Sequence, residues 1–181
     1  MKSLTFATVT LAALFLASED LVAQKFPGPD ASPADIVYFR PDGRNAEPLI
    51  KVIYGRPSKK GRIMLGDVEP YGKVWRTGAN ETTEIKLYRD ITFGDKTLKA
   101  GTYSLYTIPD KNEWTIIFNS KLDTWGAYAY DESMDVARIK VPAGKTNSEV
   151  EVFTIMFDGK DDKAVMMLAW ETTLVKIPVK Y

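Results

Sequence analysis

Thr83-Glu-Ile-Lys-Leu-Tyr-Arg-Asp-Ile-Thr-Phe-Gly-Asp-Lys-Thr-Leu-Lys-Ala-Gly-Thr-Tyr-Ser-Leu-Tyr-Thr-Ile108 decides the fold class. Ile85 and Leu87 alternate with Glu84 and Lys86, the period-two pattern of a strand with one buried face and one wet face. Ile91–Phe93 and Thr97–Leu98 flank Gly94-Asp95, which reads as a tight hairpin. Gly101–Ile108 then sets Tyr103 and Leu105 against Ser104 and Tyr106.

The pattern extends in both directions. Upstream, Ile36–Phe39 and Leu49–Tyr54 are rich in β-branched and aromatic residues, with the turn signal Arg40-Pro-Asp-Gly-Arg44 between them. Downstream come Trp114–Phe118, Glu149–Phe157, Ala164–Thr172 and Leu174–Tyr181. In the last, Val175, Ile177 and Val179 alternate with Lys176, Pro178 and Lys180, and Pro178 suggests an edge strand. No window carries an apolar stripe at helical spacing; Lys121–Trp125 and Glu132–Val136 offer a single helical turn at most. The expectation is an all-β, antiparallel β-sandwich of roughly 9–11 short strands. A closed β-barrel with an internal pocket fits the same periodicity.

The N-terminus has a different character. Lys2 precedes an almost uncharged run from Leu4 to Ala17, which fits a secretory signal peptide and falls short of the roughly 20 residues needed to span a bilayer. Residues 1–23 are therefore expected to be removed after Ala23, which places the mature protein in the periplasm or outside the cell. Residues 24–35, with three prolines and a glycine, form an extended lead-in. Residues 36–181 make one β domain, a normal size for a single core.

Composition narrows the chemistry. The chain has 24 basic and 24 acidic residues and neither cysteine nor histidine. The near-neutral balance is not that of a nucleic-acid binder, and no second hydrophobic run is long enough for a membrane span in the mature chain. Without cysteine there is no disulfide and no lipid-attachment residue. Without histidine there is no Ser-His-Asp or Cys-His catalysis and no common zinc site. No cofactor and no metal site is expected; Asp158-Gly-Lys-Asp-Asp162 lacks the full calcium-loop pattern.

Two segments hold the candidate site residues. Pro70-Tyr-Gly-Lys-Val-Trp-Arg-Thr-Gly-Ala-Asn-Glu81 combines Tyr71, Trp75, Arg76, Asn80 and Glu81 in a stretch too irregular for a plain strand. In one reading, Arg76, Asn80 and Glu81 converge on a polar ligand while Trp75 or Tyr71 offers a stacking face. In the other, Trp75 plugs the core, Arg76 and Glu81 form an ion pair beside it, and Asn80 holds a turn. The second segment, Leu122–Ser133, places Trp125, Tyr128 and Tyr130 beside Asp131 and Glu132. This reads either as an aromatic platform rimmed by acids, suited to a sugar or a cationic group, or as a loop pinned by its aromatics. A carboxylate pair of Glu81 with Asp131 or Glu132 would be the minimal hydrolase arrangement.

Four blocks in order carry a family resemblance: Tyr54-Gly-Arg-Pro-Ser-Lys-Lys-Gly-Arg62, Pro70–Glu81, Ala100-Gly-Thr-Tyr-Ser-Leu105 and Trp125-Gly-Ala-Tyr128. They resemble domain of unknown function 2911, found mainly in exported proteins of Bacteroidetes-type bacteria. The resemblance implies an exported β-rich domain and carries over no activity, cofactor or catalytic residue. The functional expectation is a binding module for a small polar ligand such as a glycan fragment. The alternatives are a structural or interaction domain and, last, a carboxylate hydrolase.

Overall fold

The computed structural model describes residues 25–181; the expected signal segment lies outside the described residues. Nine antiparallel strands form one sheet in the order β1-β2-β3-β6-β7-β8-β9-β4-β5. They are β1 (Ala34–Phe39), β2 (Ile50–Gly55), β3 (Thr83–Leu87), β4 (Ile91–Phe93), β5 (Lys96–Leu98), β6 (Gly101–Ile108), β7 (Glu113–Asn119), β8 (Asp135–Asp158) and β9 (Val165–Lys180). The sheet is open, with β1 and β5 as its edges. It is a β-sandwich arrangement, and the closed-barrel alternative is set aside. Among the described residues no helix is long and apolar enough to cross a membrane.

Period two sets the packing in the N-terminal half. Ile85 and Leu87 are fully buried while Glu84 and Lys86 stay at the surface. The register pairs Val52 with Ile85 and Ile53 with Glu84, so one face of β1–β2–β3 joins the core and the other faces out. The predicted β4–β5 hairpin is present, with Gly94 at φ +56° in its two-residue loop.

The C-terminal half differs from the expected short segments. β8 pairs with β7 through its first residues and with β9 from Ala143 onward. The segments Ala164–Thr172 and Leu174–Tyr181 are two arms of one strand, bent at Glu171 with φ +53°. The ends of β9 meet: the Val179 N–H donates to the Ala164 carbonyl at 2.8 Å. The doubled β8–β9 hairpin thus wraps the core. Glu171 holds the bend by accepting hydrogen bonds from the Met64 N–H at 2.8 Å and the Leu65 N–H at 3.2 Å. β9 is not the edge strand that Pro178 suggested, since it lies between β8 and β4; Pro178 is tolerated because it sits beyond the last β8 pairing, and its carbonyl accepts from the Gly94 N–H.

The core is continuous and aromatic at its centre. Trp75 stacks on Trp170 (centroids 5.6 Å apart) and meets Trp114 and Phe153 edge-on. One helical turn stands where Glu132–Val136 suggested it, as a 3-10 turn at Glu132–Met134. Lys121–Trp125 is not helical; it lies over the outer face of β6. The Ser104 hydroxyl donates to the Lys121 carbonyl at 2.6 Å, and the Tyr106 and Thr124 hydroxyls lie 2.9 Å apart. This loop explains why Ser104 and Tyr106, on the face opposite Leu105, are both buried.

Candidate functional site

The Pro70–Glu81 block divides into two parts. From Trp75 to Ala79 it serves the fold. Trp75 and Thr107 exchange both backbone hydrogen bonds, at 2.7 and 2.9 Å, which fastens the block to β6. The Trp75 indole N–H donates to the Gly78 carbonyl at 3.1 Å. At Gly55 and Gly78 two segments of the backbone cross so closely that a Cβ on Gly55 would stand 2.2 Å from the Ala79 carbonyl oxygen. Thr77, a β-branched residue at φ +57°, is held there by hydrogen bonds with Thr107 and Thr83.

Trp75 is therefore only 2% exposed and offers no stacking face to a ligand. Tyr71 is half-buried, with its ring against Gly66. Arg76 and Glu81 do not form an ion pair; the acid beside Arg76 is Glu69. Burial pushes the Glu69 carboxyl up, against the pull of the Arg76 charge. Asn80 takes φ +63°, a conformation that asparagine tolerates, and its amide donates to Asp30 at 3.0 Å and to the Ser32 carbonyl at 3.4 Å. It ties the lead-in to the domain, so Arg76, Asn80 and Glu81 do not converge.

The second segment also divides. Tyr130 leaves the expected platform: its ring packs edge-on against Tyr106 and its hydroxyl donates to Asp135 at 2.7 Å. Burial, then the Asp135 hydrogen bond, raises its pKa strongly. Asp131 caps the 3-10 turn, where the Ser133 hydroxyl and N–H hold its carboxyl below the usual range. Glu132 pairs with Arg138. Of the two acids weighed as carboxylate partners for Glu81, Asp131 is held by Ser133 and Glu132 by Arg138. Trp125 and Tyr128 remain outside, 59% and 90% exposed.

What the two segments do share is a short antiparallel junction. Glu81 bridges to Trp125, the Thr82 N–H donates to the Thr124 carbonyl at 2.9 Å, and the Gly126 N–H donates to the Asn80 carbonyl at 3.0 Å. The buried Thr82 hydroxyl donates to the Gly126 carbonyl at 2.6 Å and lies 2.7 Å from the Thr124 hydroxyl. Beside this junction is a groove of about 360 Å³. Ala34 and Ile53 from the outer faces of β1 and β2 line it, with Glu84 from β3, Glu81, Asp123 and Thr124. Asp123 stands at φ +57°. No lysine or arginine lines the groove, and none of its three carboxylates joins an ion pair among the described residues.

A wider depression of about 570 Å³ opens at the other end of β1, around Tyr38, Arg40 and Phe157. None of the candidate ligand-binding residues reaches it, although Asp158 and Gly159 of the acidic turn line it. Its Arg40 lies over the Tyr38 ring at 4.7 Å and donates to the Ala46 carbonyl, so that cation is already engaged. Among the described residues no group of three or more Asp or Glu side chains is placed to hold a metal ion.

A family model described as "Protein of unknown function (DUF2911)" matches residues 32–179. The chain belongs to this family. No curated protein and no solved structure matches it. In this DUF2911 domain every groove residue except Glu81 lies outside the sequence-based candidates, among them Ala34, Ile53, Glu84, Asp123 and Thr124. Glu84 was legible as a surface position of β3. Its neighbours required the β2–β3 register and the course of the 121–126 loop, which leave no periodic trace.

Proposed function

We propose that this DUF2911 domain is an exported binding module for a small polar ligand, held in the groove between Thr82–Glu84 and Asp123–Thr124. The observation that carries the proposal is the junction of the two candidate segments, which brings three unpaired carboxylates and an apolar floor to one concavity. Sites for small molecules are concave, largely apolar and furnished with a few polar groups, as this groove is. Trp125 at the edge adds an exposed ring for contact with a bound molecule. Export rests on the segment before Gln24 and on the family's occurrence in exported proteins.

Binding, rather than catalysis, is the role proposed. Asp131 and Glu132, the acids weighed as hydrolytic partners of Glu81, are occupied by Ser133 and Arg138. The test is a thermal-shift screen of small polar compounds against the mature chain and against Ala34→Trp, which fills the groove from an exposed strand position. Compounds that raise the melting temperature of the wild type and not of the variant are expected. Hits that shift both proteins equally, or no hits, would remove the groove as a binding site.

A further inference from the structure

The groove has a shape that fits a small molecule and a charge pattern that selects among small molecules. Its volume of about 360 Å³ sits at the small end of the roughly 300–1,000 Å³ range of ligand sites. Ile53 and Ala34 supply an apolar floor, while Glu81, Glu84 and Asp123 stand around it. On the same face of the sheet Lys51 and Lys86 sit opposite each other one repeat further along, beyond Ile53 and Glu84, and Lys121, two residues before Asp123, donates its ammonium to the Ala129 carbonyl at 2.9 Å. Lys86 is turned onto the Tyr88 ring, its ammonium 4.8 Å from the ring centre. The carboxylates around the groove are left with no protein cation.

We infer that the ligand is a small alkylammonium, a primary ammonium group on a short aliphatic body. The inference rests on reading this groove as the binding site and adds the ligand class. An ammonium donates three hydrogen bonds and carries the charge that the rim lacks. The aliphatic body covers the Ile53 and Ala34 floor and gains from leaving water. Trp125 stands next to Glu81 across the junction, so an exposed aromatic ring flanks the same carboxylates, an arrangement that favours cations. An anion would meet three like charges. A neutral sugar would bond to the carboxylates but leave their charge uncompensated.

The deciding experiment is calorimetric titration of the mature chain with pentylammonium chloride, with 1-pentanol as the uncharged isostere and maltose as the neutral sugar. Pentylammonium is expected to bind, more weakly as salt rises, and 1-pentanol and maltose to bind far less. In the double variant Glu81→Gln, Asp123→Asn the affinity is expected to fall by about tenfold or more, the scale of losing charged partners. Both substitutions spare the fold: Glu81 is exposed, and asparagine accepts the left-handed backbone of position 123. An unchanged melting temperature checks this. Pentylammonium binding that the double variant leaves intact would overturn the inference, and so would an absence of pentylammonium binding. In the latter case, a maltose signal or a screening hit sensitive to Ala34→Trp leaves the groove standing as a site and removes only the amine.

Discussion

Trp75 and Trp125 are the same residue type in two opposite roles. Trp75 is packed among Trp114, Phe153 and Trp170, and Trp125 projects into solvent beside Glu81. Trp75→Ala is expected to cost about 3–5 kcal/mol of unfolding free energy in a urea titration, as for other buried aromatics. Trp125→Ala is expected to stay within about 0.5 kcal/mol of the wild type. The sequence left both readings of Trp75 open, because an aromatic in an irregular segment carries no periodicity. Its burial is decided by partners from β7, β8 and β9, far along the chain. Glu69 makes a prediction of its own. Its folded pKa is raised, chiefly by burial, so its contribution to stability is complete below the ordinary value of 4.5 and is lost as pH rises through the folded value. The stability of the wild type relative to Glu69→Gln should therefore fall across the range above pH 4.5. Equilibrium unfolding across that range checks it, and a constant difference contradicts it.

At the scale of elements, the strands with clean alternation were legible and the bent ones were not. β3, the β4–β5 hairpin and β6 follow their side-chain pattern, with the exception that the 121–126 loop covers the outer face of β6. The first part of β8 escaped notice because Pro142 and Gly144 interrupt its alternation, and its pairing with β7 supplies the missing definition. The β9 bend escaped notice for a different reason. A glutamate at positive φ is rare, and here the backbone conformation is sustained by what its side chain holds. Removing that side chain tests the account. Glu171→Ala breaks the hydrogen bonds from the Met64 and Leu65 N–H groups and is expected to cost about 2–3 kcal/mol, the scale of bonds to a charged acceptor. Hydrogen exchange should quicken at Met64 and Leu65 in that variant. Unchanged stability and protection would show that the corner is held by the strands alone.

For the whole molecule, the groove is a product of topology. It forms where β1, β2 and β3 present one outer face and the 121–126 loop returns across β6 to pair with residues 80–82. Of the residues marked from the sequence, Glu81 and Trp125 meet at this junction. The core takes Trp75, Asn80 anchors the lead-in, and Tyr130, Asp131 and Glu132 form a separate hydrogen-bonded cluster with Asp135 and Arg138. The missing cysteine and histidine excluded whole classes of chemistry, which a near-neutral composition narrowed further; only the fold could say which acids stand together. The central claim is that this junction is where a small cation binds. An amide chemical-shift map of the mature chain, recorded while pentylammonium is added, tests it most directly. Saturable shifts confined to residues 53–55, 81–84 and 123–126 are expected. Shifts centred on the Tyr38, Arg40 and Phe157 depression, or scattered without saturation, would contradict it.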